Sequence, residues 1–271
     1  MGIINTTPDS FSDGGRAVRH DRAIEQGQRM LADGASILDV GGESTRPEAS
    51  PVDPDEEQRR VLPVIEALAR AGARVSVDTR NAATMARALD AGAAIVNDVS
   101  ALRHDPAAAS LVAARRCPVI LMHMRGNPRT MSGLAHYEDV GAEVLGELSE
   151  RVALAEAAGV ERAQIAIDPG FGFAKTAAHS RELVRRLPLF FNLSCPIIAG
   201  MSRKRFVGEM AGVAAAQERD SASLAAGMLA LSHGATVLRV HNVAATMQAV
   251  RVWQAVWAAP DPKRESGIDD E

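Results

Sequence analysis

The chain has 271 residues, of which 46% are hydrophobic, 24% charged and 3% aromatic, and its formal net charge is -4. These proportions are typical of a globular protein and exclude a collagen-like, coiled-coil or wholly disordered chain. No apolar run approaches the roughly 20 residues that span a bilayer, no signal-peptide pattern is visible, and the mild acidity argues against nucleic acid as a partner. Cys117 and Cys195 are too few for a disulfide framework, so we expect two buried thiols and a cytoplasmic protein.

Eight short apolar runs recur along the chain, and amphipathic stretches separate them. The runs carry few charges before their last residue, which is typical of parallel strands covered on both faces. Apolar residues at three- and four-residue spacing predict helices between the runs. In chain order, the predicted strands are 2–5, 36–40, 74–77, 94–97, 118–122, 164–167, 196–199 and 236–240. The predicted helices are 23–33, 56–71, 82–91, 106–115, 137–158, 181–187, 221–232 and 244–258.

The spacing of the runs indicates the fold. From Asn5 to Arg239 the mean step between strand ends is about 33 residues, the size of a βα unit. Eight successive units predict an α/β fold, a single (β/α)8 TIM barrel. We expect residues 1–259 to form this one domain and residues 260–271, which are polar and aperiodic, to be a disordered tail. An open doubly wound sheet is the alternative, but no G-x-G-x-x-G motif follows the first strand.

Polar side chains stand at the carboxyl ends of the predicted strands, where the catalytic groups of a barrel collect. They divide into a carboxylate and amide group and a basic group: Asp78, Asn97 and Asp168 in the first, and Lys204, Arg239 and His241 in the second. A carboxylate accepts two parallel N–H bonds, which a flat heterocycle with an amino group beside a ring N–H offers. The basic group suits phosphate or diphosphate. The rim therefore predicts a site for a heterocycle joined to an anion, although any single strand-end Asp is also suited to cap the next helix.

Two loops at this rim, residues 6–16 and 41–55, are long and mix Gly, Pro, Ser and Asp. Loops of this length in a compact barrel more often act as mobile lids or binding loops than as plain surface loops. The histidines and cysteines show no zinc-ligand spacing. Magnesium, which takes one or two protein oxygens together with substrate phosphate, fits better, and Asn5 with Asp9 or Asp13 are the candidate ligands.

Six segments resemble the motifs of the dihydropteroate synthase family, and they span residues 1–243 in the family's order. They are MGIINTTPDSFSDGG at 1–15, DVGGESTRP at 39–47, LMHMRGNPRTM at 121–131, DPGFGFAK at 168–175, GMSRKRFVG at 200–208 and LRVHNV at 238–243. The resemblance implies a TIM barrel that joins p-aminobenzoate to 6-hydroxymethyl-7,8-dihydropterin diphosphate and releases diphosphate. It also implies Mg²⁺ as cofactor, competition by sulfonamides and a homodimer.

The resemblance assigns roles to positions of this chain. The pterin would lie against Asp78, Asn97, Met122, Asp168, Phe173, Lys204 and Arg239, of which Asp78, Asp168, Lys204 and Arg239 would be catalytic. The diphosphate would be held by Asn5, Arg239 and His241, with magnesium on Asn5 and Asp13. The p-aminobenzoate subsite would comprise Phe11, Thr45, Arg46, Pro47, Phe173, Ser202 and Arg203. Asp39 would support the site from below the second loop.

The chain departs from the family pattern at a few positions, among them Thr7, Asn242 and the pair Arg80–Asn81. Two rival functions share the pterin chemistry. A methyltransferase domain that passes a methyl group from a methylfolate to a corrinoid needs no diphosphate, Ser-Arg-Lys cluster or Arg-x-His motif. A non-catalytic pterin carrier needs neither two loops that close over its site nor an Asn5 placed to bind a metal ion. The synthase hypothesis therefore explains more of the residues at the rim than either rival hypothesis does.

Overall fold

The computed structural model describes residues 1–7 and 16–257, and all eight predicted strands are confirmed to within two residues at each end. Each strand is followed by at least one helix where the chain is described. The strands are β1 Gly2–Asn5, β2 Leu38–Gly41, β3 Val75–Asp78, β4 Ile95–Asp98, β5 Val119–Met122, β6 Ile165–Asp168, β7 Ile198–Ala199 and β8 Val237–Leu238. The helices are α1 Arg16–Ala32, α2 Pro54–Arg70, α3 Ala82–Asp90, α4 Ala108–Arg115, α5 Val140–Ala157, α6 Ala177–Arg185, α7 Arg205–Ala211, α8 Asp220–Ser232 and α9 Val243–Trp257.

The strands close into a parallel barrel. Strands β1 to β6 pair in chain order, and β7 pairs with β8. Single parallel bridges join Ile167 to Ile197 and Gly2 to Val240, which connects β6 to β7 and β8 to β1. The amide of Ile3 donates to the carbonyl of Val240 at 2.9 Å across the last of these junctions. The expected (β/α)8 barrel is therefore confirmed, and the open-sheet alternative is wrong.

The direction of the side chains alternates along each strand, so one short strand contributes to both the core and the site. Side chains at every second position point outward, where Ile4, Val40 and Val77 are fully buried among the helices. The intervening positions point into the barrel, where Ile95, Ile120 and Ile198 fill its lower part as one apolar cluster. Because the strands are in register, the next inward positions up the barrel lie level with one another at the rim. These upper positions are polar and form the site described below.

The helices follow the predicted pattern with one omission. Helix α7 was not predicted, because its seven residues contain too short an apolar stretch to show a period. Gly34 and Gly72 follow α1 and α2 with φ of 104° and 84°, as expected for left-handed caps. Both cysteines are buried free thiols, as expected. None of the described helices is both long enough and apolar enough to pass through a membrane.

Candidate active site

An arginine between two carboxylates lies at the centre of the barrel mouth. Arg239, just after β8, donates from Nε to Asp39 Oδ2 and from Nη2 to Asp78 Oδ2, both at 2.6 Å. Asn97 of β4 donates from Nδ2 to the same Asp39 oxygen at 3.1 Å. One guanidinium therefore joins the end of β8 to β2 and β3, and Asn97 is joined to it through Asp39.

The guanidinium supplies the positive charge beside both carboxylates of this network. Asp39 is fully buried, and its second oxygen, Oδ1, has no hydrogen-bond partner. Burial raises the pKa of Asp78 to about 7; the charge of Arg239 opposes this rise, and that of Asp39 adds to it. Burial and the guanidinium of Arg239 therefore act in opposite directions on the pKa of Asp78.

Asp168, Lys204 and Arg239 converge on a glycine at the end of β7. A methyl group built on Gly200 would lie 3.3 Å from Asp168 Oδ2 and 3.9 Å from both Lys204 Nζ and Arg239 Cδ. Asp168 also accepts from the Gly170 amide through Oδ1 at 2.7 Å. Burial raises its pKa, and the charge of Lys204 is the strongest opposing influence. Because Gly200 has no side chain, no group separates Asp168 Oδ2 from Lys204 and Arg239 at this position.

An apolar wall adjoins this carboxylate. Phe173 packs against a buried cluster that contains Met122 of β5, and the Lys204 ammonium lies 4.4 Å from the centre of the Phe173 ring. Lys204 Nζ also donates to the Phe171 carbonyl at 2.6 Å. Burial lowers the pKa of Lys204 to about 8. A flat ring between this wall and Asp168 would be enclosed by apolar faces and have acceptors at its edge.

The basic edge of the mouth continues through Ser202 and His241. The His241 amide donates to Ser202 Oγ at 3.2 Å, and Nδ1 lies 3.0 Å from the same oxygen. Burial lowers the pKa of His241 to about 4, assisted by the positive charges of Arg203 and Arg239. Arg203 itself forms a two-point pair with Asp220 at 2.6 and 2.9 Å. Its guanidinium is therefore held by α8 in the absence of substrate.

Asn5 is the one predicted magnesium ligand that lies within the described residues. It ends β1, is partly buried, and lies level with Gly41 and Asp78 at the rim. Across residues 1–7 and 16–257, no group of three or more His, Cys, Asp or Glu side chains is placed to hold a metal ion. An amide oxygen beside a cationic rim fits a magnesium ion held mainly by substrate phosphate oxygens. Asp9 and Asp13, like Phe11, lie outside the described residues.

The second loop lies beside the mouth and is tied to its neighbours. Thr45 is half-buried, and Arg46 and Pro47 are exposed. The amide of Glu48 donates to the Pro128 carbonyl of the loop after β5 at 3.0 Å. The positive charge of Arg46 is among the influences that lower the pKa of His241.

A buried carboxylate that the sequence analysis missed anchors this loop from below. Glu57 of α2 is fully buried, and its Oε2 accepts hydrogen bonds of 2.9, 2.9 and 2.7 Å from Thr79, Asn81 and Thr84. Arg80, within the same segment, donates from Nε and Nη2 to Glu43 of the loop at 2.9 Å. The departure at Arg80–Asn81 was the sequence signal, because both side chains are used here.

The described part of the rim thus brings most of the predicted residues together. Asp39, Asp78, Asn97 and Arg239 form one network, and Asp168, Lys204, Phe173 and Met122 form the pocket beside it. Arg203 is turned to Asp220 rather than grouped with these side chains. A barrel with acceptor groups for a heterocycle beside a cationic edge defines an enzyme whose substrate joins a heterocycle to an anionic group.

Comparisons with known proteins agree with this description. Residues 1–241 match the family model described as pterin binding enzyme. The dihydropteroate synthase of Escherichia coli (strain K12) is 43% identical over 265 residues, 97% of this chain and 93% of that protein. Xanthomonas albilineans dihydropteroate synthase with 4-aminobenzoic acid is 49% identical, has a TM-score of 0.91, and aligns over 96% of this chain and 93% of that one. The same source's enzyme in complex with 7,8-dihydropteroate is 47% identical, with a TM-score of 0.87 over 96% and 94% of the two chains. The chain belongs to the dihydropteroate synthase family of pterin-binding enzymes.

Proposed function

We propose that this barrel condenses 6-hydroxymethyl-7,8-dihydropterin diphosphate with p-aminobenzoate, which gives 7,8-dihydropteroate and diphosphate for folate biosynthesis. The observation that carries the proposal is the convergence of Asp168, Lys204 and Arg239 on Gly200, which has no side chain to separate them. One carboxylate faces two cations there, which fits a substrate that has a hydrogen-bond-donating ring at one end and an anion at the other. The ligands named for the two Xanthomonas albilineans structures support the same pair of subsites.

The pterin ring binds in the pocket of Asp168. Its ring N–H and amino group donate two parallel hydrogen bonds to this carboxylate, which requires the ionised form. Asn97 and Lys204 form hydrogen bonds with the polar atoms at the other edges of the ring. Phe173 and Met122 cover its apolar area. The two carboxylates fix the orientation of the Arg239 guanidinium, and its plane stacks on the pterin face.

The diphosphate binds at the basic edge. Arg239 and His241 donate to its oxygens, and Asn5 with Asp13 would hold the magnesium ion, which neutralises charge on the departing diphosphate when it is bound. His241 is neutral before the anion arrives, so it donates one N–H or takes up a proton together with the anion. The side chains at this edge stabilise the charge that develops as the bond to oxygen lengthens.

The reaction proceeds by early departure of the leaving group. The C–O bond between the pterin methylene and the diphosphate breaks, and its electron pair leaves with the diphosphate. The resulting cation is stabilised by the pterin ring and by the negative charges of Asp78 and Asp168. The aniline nitrogen then forms the C–N bond and loses a proton. Exclusion of water matters because water would capture the same cation, and we expect the two rim loops to exclude it.

The p-aminobenzoate subsite is formed by the second loop and the segment after β7. Ser202 and Arg203 bind its carboxylate, and Thr45, Arg46, Pro47 and Phe173 contact its ring. Arg203 must leave Asp220, or share it, to bind a second carboxylate. Phe11, which lies outside the described residues, is the side chain that the first loop would contribute. Sulfonamides, which share the aniline ring and an acidic group, compete here.

Two copies of the chain form the active assembly. Large apolar side chains are exposed on neighbouring helices α8 and α9: Leu229 at 54%, Val252 at 66%, Val256 at 69% and Trp257 at 70%. Apolar area of this kind marks interaction surfaces, and the expected homodimer would bury it. A monomer in sedimentation equilibrium would contradict this part of the proposal.

The proposal is tested by supplying labelled p-aminobenzoate with the pterin diphosphate and Mg²⁺ and isolating labelled dihydropteroate. Asp168→Asn should reduce pterin affinity at least tenfold, because one acceptor oxygen becomes a donor that faces the ring N–H groups. Asp90→Asn, on the exposed surface of α3, serves as the matched control. Unchanged pterin binding in Asp168→Asn would contradict the pocket. Methyl transfer to a corrinoid in place of condensation would establish the methyltransferase rival.

A further inference from the structure

One glutamate, Glu43, holds the second loop together at its base and has no role in the reaction described above. Its Oε1 accepts a hydrogen bond of 3.1 Å from the amide of Val52, nine positions further along the chain. Arg80, in the segment after β3, donates to both carboxylate oxygens, from Nε to Oε2 and from Nη2 to Oε1, each at 2.9 Å. The carboxylate therefore joins both ends of the loop to the segment after β3. The three loop residues assigned to p-aminobenzoate, 45–47, lie between the two joined points.

The ion pair of Glu43 and Arg80 is shielded from water. The side chain of Arg80 is 12% exposed and that of Glu43 is 8% exposed. A comparable two-point pair joins Arg162 to Glu156 at 2.8 and 2.6 Å, but these side chains are 43% and 35% exposed. An exposed pair of this kind contributes little, whereas a shielded two-point pair fixes the direction of both side chains. The pair at the second loop therefore restrains the loop more than an ordinary surface ion pair would.

The backbone that carries Arg80 is itself held in place. Its two neighbours, Thr79 and Asn81, each donate from their side chains to Oε2 of the fully buried Glu57 at 2.9 Å. The amide of Asn81 also donates to Thr79 Oγ1 at 3.2 Å. Because both neighbours are bound to one buried carboxylate, the arginine starts from a fixed point. The guanidinium is therefore a firm support for Glu43.

The entry into the loop is packed against helix α2. Arg60 of that helix donates from Nη1 to the Gly42 carbonyl at 2.9 Å. A methyl group built on Gly42 would lie 2.9 Å from Val61 Cγ1 and 3.2 Å from the Glu57 carbonyl oxygen. The chain therefore enters the loop along a fixed path on α2. The hydrogen bond from Val52 to Glu43 fixes the returning part of the loop relative to this path.

We propose that Glu43 and Arg80 are positioning residues, whose ion pair sets the conformation in which residues 45–47 contact p-aminobenzoate. The inference rests on the proposed function, because it takes the second loop as part of the p-aminobenzoate subsite. When the pair is broken, the segment after β3 keeps its bonds to Glu57, so Asp78 stays in the pterin pocket. The defect should therefore be confined to the second substrate.

The experiment compares the kinetics of wild type and Arg80→Met at saturating pterin diphosphate and Mg²⁺, with p-aminobenzoate varied. The KM for p-aminobenzoate should rise about tenfold, since small misplacements of positioning groups have effects of this size. The affinity for 6-hydroxymethyl-7,8-dihydropterin, measured by titration, should stay that of wild type. Arg162→Met, which removes the two-point pair just before β6 at the other end of the barrel, should keep the wild-type KM. A lower kcat with an unchanged KM would overturn the inference, since a purely structural role reduces only the amount of folded enzyme.

A second variant covers the case in which Arg80→Met does not fold. Glu43→Gln keeps one acceptor oxygen but loses the charge and the second acceptor, so the KM for p-aminobenzoate should rise by a smaller factor. An unchanged KM in Glu43→Gln would also overturn the inference. The double variant should have a KM no higher than that of Arg80→Met, because the two residues act as a unit; effects that multiply would overturn it. Wild type that releases no diphosphate with both substrates would contradict the proposed function itself, so the two failures are distinguishable.

Discussion

Replacing Arg239 by methionine should lower the free energy of unfolding by about 3–5 kcal/mol, the cost of removing one partner from a buried ion pair. The guanidinium donates hydrogen bonds of 2.6 Å to Asp39 and 2.6 Å to Asp78. Without it, the fully buried Asp39 keeps only the 3.1 Å bond from Asn97, because its other oxygen has no partner. The loss therefore comes mainly from a stranded charge at the centre of the barrel.

Urea unfolding followed by circular dichroism measures this effect, and the second substitution in a double-mutant cycle identifies its source. Asp39→Asn combined with Arg239→Met should recover part of the lost stability, because Asp78 is then the only one of the two carboxylates that lacks its partner. Arg205→Met, at an exposed pair with Glu209, should change stability by less than about 1 kcal/mol.

Two results would refute this reasoning. One is an Arg239→Met variant that unfolds at the wild-type urea concentration with the same slope. The other is a double variant no more stable than the single one, which would show that the stranded carboxylate is not the cause. Either result would mean that the ion pairs at the barrel mouth do not hold Arg239 in place for the substrate.

The remaining predictions concern the absence of a side chain at Gly200 and the protonation of His241. Gly200→Ala should weaken pterin binding by about ten- to 200-fold, because a methyl group fills space beside Asp168; Gly133→Ala, with no atoms near the added methyl, should match wild type in the same calorimetric titration. Diphosphate should raise the pKa of His241 from about 4, so its binding takes up a proton and strengthens as pH falls. Calorimetry at pH 7 in buffers of different ionisation heat should show less proton uptake for His241→Gln than for wild type; equal uptake would contradict the assignment.

The barrel and the polarity of its rim are predictable from sequence because both depend on local patterns. Apolar runs of four or five residues mark the strands, and a polar residue at the end of each run must lie at the carboxyl end of the barrel. Asp78, Asn97, Asp168 and Arg239 therefore fall at the rim as soon as the repeat is recognised. The strand register confirms that Asp78 lies level with Asn97, whereas Asp168 lies two positions higher, opposite Met122.

The choice of partners within the rim is not predictable in this way. Arg239 pairs with carboxylates 200 and 161 residues away, and Arg203 turns to Asp220 rather than to the mouth. Each outcome depends on side-chain direction and reach, which a one-dimensional pattern does not contain. The buried contact between Lys175 Nζ and His123 Nδ1 is unpredictable for the same reason.

Release of diphosphate is the most direct test of the account as a whole. The purified chain is mixed with the pterin diphosphate, p-aminobenzoate and Mg²⁺, and diphosphate is followed with each component omitted in turn. The account predicts rapid release only in the complete mixture, with stoichiometric formation of dihydropteroate. Pterin binding without release in the complete mixture would contradict it and would favour a pterin carrier on the same barrel.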